Sequence, residues 1–237
     1  SSKSEIIKQK REANQFYGGG DVDEKHLGGW KYNDSNTYER ELWDWIIDRF
    51  NITSVMDIGC GIGCSTIYFK NHPNINDALC VEGSIDAINN SLVKDISVHH
   101  DYTRGAFWPN KVYDMVWSAE FLEHVAEEYM ENVMATFKAA KILFVTHSAW
   151  GGWHHVNVHE SEWWIYKFES FGFSYQDKIT EQAREQCPLL GTDFKYSYHD
   201  LHTDGNRKNS HFHFHGLVFF NSLFMNRLTE YDQKILK

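Results

Sequence analysis

Hydrophobic and polar positions follow two periods along the chain, and their alternation predicts a series of strands and helices. Short apolar runs between turn residues predict strands at Ser54–Ile58, Ala78–Val81, Ile96–His99, Val112–Trp117, Ile142–Thr146 and Phe214–Phe220. Helical spacing predicts helices at residues 36–50, Ser65–Asn71, Ile85–Val93, Leu122–Ala139, Glu160–Phe171 and Thr180–Gln186. Because strands alternate with helices, we predict an α/β fold with a doubly wound sheet that binds ligands at its carboxyl edge.

The same pattern divides the chain into two parts. Residues 1–35 are interpreted as an N-terminal arm, in which Gly18–Trp30 is either a lid over the binding site or a passive surface loop. Residues 36–237 are interpreted as one domain. The first residue is Ser1 rather than methionine, which is typical of a trimmed chain or of one domain of a longer protein.

Composition narrows the classes of partner. The formal net charge of -10 does not favour a broad phosphate-binding surface, so we do not expect nucleic acid as a partner. The chain has no apolar run of the roughly 20 residues that a membrane span needs, and we expect no signal peptide. We therefore expect no membrane partner; for oligomeric state the sequence contains no signal.

Four cysteines bear on the compartment: Cys60, Cys64, Cys80 and Cys187. Their spacing fits neither a zinc site nor a disulfide framework, so they are interpreted as reduced packing residues. This interpretation favours a cytoplasmic location, or the host cytoplasm if the source is viral.

Acidic residues and glycines gather at the ends of the first three predicted strands. Asp57 is followed by the alternating glycines Gly59, Gly61 and Gly63, which permit a tight turn and close approach of a ligand. Glu82 and Asp101 end the next two strands. Either acid alone could simply cap a turn, but together with the loop they suit a cofactor with ribose, adenine and an ammonium group.

In these motifs, over residues 36–220, the chain resembles the class I S-adenosylmethionine-dependent methyltransferases. The resemblance implies a Rossmann-like, seven-stranded sheet whose last strand is antiparallel. It also implies a set of cofactor-binding residues. Asp57 and the Gly59–Gly63 loop would contact the methionine part, Glu82 would bind the ribose hydroxyls, and Asp101 and Tyr102 would face adenine. Ser118, at the end of the fourth strand, is included in this set.

A second cluster follows the fourth predicted strand. Glu120, Glu123 and His124 have the i, i+3, i+4 spacing that places side chains on one face of a helical turn. Two carboxylates and an imidazole are suitable ligands for a divalent cation. The histidine-rich loop after the fifth strand would supply a fourth ligand, His155 first and His154 second.

This Glu-x-x-Glu-His motif resembles that of the small-RNA 2'-O-methyltransferases and the ubiquinone-pathway O-methyltransferases, which implies Mg²⁺ or Mn²⁺. The string Trp153–Trp164 is also similar to uncharacterised viral and bacterial methyltransferases associated with surface glycans. These likenesses imply an O-methyltransferase that acts on a sugar hydroxyl of a glycan diol. Glu120, His155 and His154 are its candidate catalytic residues.

Several alternatives remain open from the sequence. One is an RNA 2'-O-methyltransferase, and another is a metal-independent O-methyltransferase with His155 as general base. A small phenolic acceptor and a catalytically silent subunit are further alternatives. The segment His211–His215 alternates with period two and is interpreted as a strand with three imidazoles on one face, beside the substrate cleft.

Overall fold

The computed structural model describes residues 25–27, 37–152, 154–187 and 210–225. Its strands are β1 (Ser54–Ile58), β2 (Asp77–Glu82), β3 (Ser97–His99), β4 (Tyr113–Ser118), β5 (Ala140–Thr146), β6 (Phe173–Tyr175) and β7 (Gly216–Asn221). Its α-helices are α1 (Arg40–Phe50), α2 (Cys64–Asn71), α3 (Ile85–Asn89), α4 (Met130–Phe137), α5 (Ser161–Ser170), α6 (Asp177–Glu185), α7 (His211–His215) and α8 (Ser222–Met225).

The strands form one seven-stranded sheet in the order β3-β2-β1-β4-β5-β7-β6. The five strands from β3 to β5 are parallel, whereas β7 is antiparallel to both β5 and β6. The predicted doubly wound sheet with an antiparallel last strand is therefore confirmed. Strand β6 was not predicted, because its three residues are too few to show a period.

Helices cover both faces of the sheet, and the strand residues alternate between two cores. Val55 of β1 packs in the core formed with α1 and α6, while its neighbour Met56 packs in the core formed with α4 and α5. All five residues of β1 are buried, as expected for a central strand of a doubly wound sheet. The helices on both faces pack against the parallel strands, whose carboxyl ends therefore lie together at one edge of the sheet.

Two predicted elements are wrong. The predicted helix Leu122–Ala139 is instead two 3₁₀ turns, Leu122–His124 and Glu127–Tyr129, followed by α4, because Val125 and Ala126 have extended backbone angles. The predicted strand Phe214–Phe220 begins only at Gly216, since His211–His215 forms the helical turn α7. The three imidazoles therefore do not share a strand face.

The N-terminal arm and most of the predicted lid lie outside the described residues. In the lid, Lys25–Leu27 forms a 3₁₀ turn. Among the residues that the structure describes, no helix is long and apolar enough to cross a membrane.

Candidate active site

A cavity of about 690 Å³ opens at the carboxyl ends of the parallel strands. It is lined by residues that follow each strand in turn: Gly59 after β1, Gly83 after β2, Asp101 after β3, Ala119 after β4 and Trp150 after β5. This is the edge at which doubly wound sheets bind ligands. Residues of both clusters found in the sequence line this one cavity, although Glu123 is absent from its described lining.

The glycine loop after β1 has a backbone that only glycine adopts without strain. Gly59, Gly61 and Gly63 have φ values of 73°, 55° and 85°. A Cβ atom at Gly59 would lie 2.5 Å from the ring of Phe121, and one at Gly63 would lie 2.5 Å from Val93. Gly59 and Gly61 line the cavity, whereas Gly63 caps the start of α2.

Asp57 lies buried under this loop and also lines the cavity. Its Oδ2 accepts hydrogen bonds from the hydroxyls of Ser65 (2.6 Å) and Thr66 (2.7 Å) at the start of α2. Burial raises the pKa of Asp57 to about 6, although these two bonds favour the carboxylate. The side chain thus joins β1 to the first turn of α2.

Glu82, at the end of β2, holds the glycine loop from the other side. Its Oε2 accepts a hydrogen bond from the backbone N–H of Gly61 at 2.7 Å, and its Oε1 accepts one from Ser84 at 2.8 Å. Glu82 also lines the cavity, and a carboxylate has about four acceptor positions. The geometry is compatible with the predicted ribose-binding role.

A disulfide joins Cys60 of the glycine loop to Cys80 of β2. The predicted reduced state of these two cysteines is therefore wrong, whereas Cys64 and Cys187 keep their thiol groups. The two cysteines meet because β1 pairs with β2 and places Asp57 opposite Cys80. The cytoplasmic location stays a prediction.

Asp101 and Tyr102 occupy the end of β3. The Oδ1 of Asp101 accepts bonds from the backbone N–H (2.9 Å) and the hydroxyl (2.8 Å) of Thr103. Burial raises the pKa of Asp101, but these bonds and the nearby His26 outweigh it, so that the pKa is lowered. His26 belongs to the described turn of the predicted lid, and its Nε2 lies 3.2 Å from Asp101.

The predicted metal ligands come from the loops after β4 and β5. Glu123, His124 and His155 each offer one ligand atom, and these three atoms lie within 4.8 Å of one another. Glu123 is fully buried, and its oxygens accept no N–H or hydroxyl group among the described residues; the side chain beside them is the carboxyl group of Glu120. Burial, together with the charge of Glu120, raises the pKa of Glu123 well above its ordinary value.

Both imidazoles present the same ring nitrogen to this cluster. The Nδ1 of His124 lies 3.1 Å from the carbonyl oxygen of His154, and the Nδ1 of His155 lies 2.8 Å from that of Trp150. A carbonyl can only accept a hydrogen bond, so each Nδ1 carries the proton and each Nε2 has a lone pair in the neutral ring. Burial and the neighbouring His155 lower the pKa of His124 to about 4, which keeps it neutral.

Glu120 lies beside the cluster rather than within it. It was expected on a helical turn, but its φ of 53° places it in the left-handed region before the turn begins. Its N–H donates to the hydroxyl of Thr146 at 2.9 Å, and its Oε1 lies 2.9 Å from the Nδ1 of His211. Burial raises the pKa of Glu120, but the bond and charge of His211 outweigh it and lower the pKa.

Two further predicted site residues have distinct positions. His154 lines the cavity and also has a left-handed backbone, with φ 54°. Burial lowers the pKa of His154. Ser118 is fully buried and absent from the described cavity lining, and its hydroxyl donates to the carbonyl of Ile58 at 2.9 Å. Ser118 therefore joins β4 to β1 beneath the site.

Sequence reasoning missed several residues of the cavity. Thr37 and Tyr38 line it from the segment just before α1, and no motif marked them. His211 was identified as a residue near the cleft, but its contact with Glu120 was not predicted. The Ser-His-Phe-His pattern could have indicated a helix start, since the hydroxyl of Ser210 accepts the N–H of His213.

No family model and no curated protein matches the chain. Solved structures do match. One comes from the complex of the Haloferax volcanii Trm112 methyltransferase activator with a methyltransferase: TM-score 0.51 and 12% identity, over 77% of this chain and 90% of that one. Another is PKMT2 from Rickettsia typhi in complex with AdoHcy: TM-score 0.51 and 13% identity, over 81% of this chain and 55% of that one. Magnesium protoporphyrin IX methyltransferase from Synechocystis PCC 6803 matches with TM-score 0.49 and 16% identity, over 77% of each chain.

The chain has the fold of the class I methyltransferases. The strand order, the antiparallel β7 and the cavity at the carboxyl edge agree with this assignment. At these low identities the likeness extends to the fold alone, so the chemistry depends on this chain's own residues.

Proposed function

We propose that the protein is an S-adenosylmethionine-dependent O-methyltransferase that uses a divalent cation and methylates a sugar hydroxyl. The observation that carries the proposal is that the glycine loop lines the same cavity as His124 and His155, and that these two imidazoles form a group of possible metal ligands with the buried Glu123. PKMT2, which shares the fold, was solved with AdoHcy, the product of such a cofactor. When bound, the cofactor supplies an activated methyl group on a sulfonium.

The chain's own residues would bind and orient this cofactor. Glu82 can accept hydrogen bonds from the two ribose hydroxyls while it holds the N–H of Gly61. Asp57, under the loop, places negative charge near the ammonium group of the methionine part. Asp101 and the loop around Tyr102 form the side of the cavity that would contain adenine.

The described residues fit a divalent cation. A buried carboxylate that accepts no N–H or hydroxyl group, such as that of Glu123 among the described residues, is costly unless a ligand satisfies it. The Nδ1 protons of His124 and His155 are held by backbone carbonyls, which is the arrangement that orients metal-binding imidazoles. Glu123, His124 and His155 would hold the ion, with Glu120 as the neighbouring carboxylate.

Methyl transfer to an alcohol requires that the hydroxyl lose its proton and lie in line with the methyl group. A bound cation supplies Lewis acidity, which makes a hydroxyl easier to deprotonate. The chain contributes His154, whose ring lines the same cavity and can accept a proton. Without a cation, the Nε2 of His155 could serve as the base, which is the metal-independent alternative.

The cavity favours a neutral polyol over a phosphate-rich acceptor. Among its described lining residues there is no lysine or arginine, whereas an RNA substrate would need cations near its phosphates. Trp150 is exposed and lines the cavity next to His155. Exposed aromatic rings at a cavity suit stacking against the apolar face of a sugar.

The test is a methyl-transfer assay with a labelled donor against a panel of mono- and oligosaccharides, with a small RNA as comparison. We expect transfer to a sugar with a vicinal diol, loss of transfer with excess EDTA, and recovery on addition of Mg²⁺ or Mn²⁺. Full activity in EDTA would exclude the cation and favour His155 as base. Transfer to RNA alone would exclude the sugar.

A further inference from the structure

The two loops that carry the proposed ligands are bonded directly to each other. The carbonyl oxygen of Glu123 accepts two backbone N–H groups from the second loop, that of Val156 at 2.9 Å and that of Asn157 at 3.1 Å. In return, the ring of His124 donates to the carbonyl of His154. The position of His155 relative to Glu123 and His124 therefore depends on this contact between loops.

The side chain of Asn157 completes the contact. It is buried, with 2% of its surface exposed, and its Nδ2 donates to the carbonyl of Val125 at 3.0 Å. Val125 directly follows His124, while Asn157 lies two residues after His155. Asn157 is absent from the described cavity lining, and its Oδ1 is buried without a hydrogen-bond partner among the described residues.

We propose that Asn157 is a positioning residue for the cation site. This inference rests on the proposed function. The amide holds the loop after β5 against the loop after β4, and so keeps the Nε2 atoms of His124 and His155 at a shared point with Glu123. A donor is required here because the buried carbonyl of Val125 needs one. An ionised aspartate or an apolar side chain of the same size could not supply it.

The test is a titration of the full chain with Mn²⁺ in the absence of cofactor and acceptor. Electron paramagnetic resonance measures the free and bound Mn²⁺. The variant Asn157→Ala should bind Mn²⁺ about 10- to 100-fold more weakly than the wild type, the range typical when a partner behind a metal ligand is lost. Its affinity for S-adenosylhomocysteine should be unchanged, because the glycine loop and Glu82 are not touched.

Asn221 provides the matched control. It is also buried, with 1% exposed, and its Nδ2 donates to two carbonyls, those of Lys138 and Ala140, both at 2.9 Å. These contacts lie at the opposite end of β5 from the site. Asn221→Ala should lower the melting temperature as Asn157→Ala does, but should leave the Mn²⁺ affinity at the wild-type value.

The outcomes separate the two claims. If the wild type does not bind Mn²⁺, the cation in the proposed function is wrong and the positioning role falls with it. If the wild type binds and Asn157→Ala binds equally well, only the positioning role is wrong. Equal losses in both asparagine variants would show a general stability effect and would also overturn it. Should Asn157→Ala not fold, Asn157→Ser is too short to reach Val125 and gives the same comparison.

Discussion

The buried carboxylates in two parts of the site differ in their hydrogen bonds. We call the part formed by Asp57, the Gly59–Gly63 loop and Glu82 the cofactor half, and the part formed by Glu123, His124 and His155 the metal half. In the cofactor half, Asp57 accepts two hydroxyl groups and Glu82 accepts two backbone N–H groups, all from the chain itself. In the metal half, Glu123 is equally buried and accepts no N–H or hydroxyl group among the described residues. The chain itself supplies hydrogen-bond donors to Asp57 and Glu82, whereas its described residues supply none to Glu123, which a positive ligand could neutralise.

This difference shows where stability has been given up for binding. A satisfied carboxylate joins elements of the fold, as Asp57 joins β1 to α2. A buried carboxylate with no partner costs folding free energy, and the rest of the structure must offset that cost. We therefore expect a bound cation to stabilise the metal half. We expect the cofactor half to lose stability when its internal contacts are broken.

The largest effect is expected from Glu123→Gln. The variant keeps the shape of the side chain but removes its charge, so Mn²⁺ affinity should fall by more than the about 10- to 100-fold typical of a lost supporting residue. At a pH above the raised pKa of Glu123, the metal-free variant should also melt at a higher temperature than the metal-free wild type, because a neutral amide is less costly to bury than a charge. Titration and thermal unfolding measure both effects. Unchanged Mn²⁺ affinity would remove Glu123 from the site.

Breaking the disulfide should destabilise the cofactor half. Cys60 and Cys80 are separated by 20 residues, and a loop of this length corresponds to about 3 kcal/mol in the free energy of unfolding. The double variant Cys60→Ser, Cys80→Ser should lose this amount in urea unfolding and bind S-adenosylhomocysteine more weakly. Dithiothreitol should lower the wild type to the level of the variant without changing the variant. If dithiothreitol leaves the free energy of unfolding of the wild type unchanged, the disulfide does not form.

The raised pKa of Asp57 predicts a pH-dependent stability. Because the folded pKa of about 6 exceeds the ordinary value of 3.8, the contribution of Asp57 is complete below pH 3.8 and is lost as pH rises through 6. Between pH 4 and pH 6 the loss should be about 2 kcal/mol, and Asp57→Asn should lack it. Urea unfolding across this range measures the difference. If the free energy of unfolding changes with pH in the same way for the wild type and Asp57→Asn, Asp57 keeps an ordinary pKa.

A smaller effect is expected from Glu82→Gln. Replacing the proposed charged acceptor of the ribose hydroxyls should weaken S-adenosylhomocysteine binding about tenfold, the lower end of what a hydrogen bond to a charged group contributes. The affinity for Mn²⁺ should stay at the wild-type value, since Glu82 lies in the other half of the cavity. Calorimetric titration with each ligand provides the measurement. A weaker Mn²⁺ site with intact cofactor binding would reverse the assignment of the two halves.

Local patterns in the sequence were sufficient for the cofactor half. The spacing of Gly59, Gly61 and Gly63 after an apolar run predicted a strand, a loop and a helix, because these glycines need backbone angles that other residues avoid. The apolar run before Glu82 likewise predicted β2. Each of these features depends on neighbours in the chain.

The features that depend on distant contacts could not be predicted. The disulfide forms because β1 and β2 pair, and nothing in the spacing of Cys60 and Cys80 indicates that pairing. The period-two pattern of His211–His215 favoured a strand, but the hydroxyl of Ser210 begins a helix there. Glu120 was placed on a helical turn by its spacing, whereas its left-handed backbone follows from its contact with Thr146.

The position of β7 between β5 and β6 has a consequence for the order of assembly. Within the described sheet, β6 pairs with β7 and with no other strand, although it precedes β7 by about 40 residues of sequence. During synthesis, β6 has no edge to join until the later segment has emerged and bonded to β5. Residue His211, which meets Glu120, arrives with that same segment. A ribosome-bound chain that ends before residue 210 would therefore display an unprotected edge at β5 and a cavity that still lacks His211.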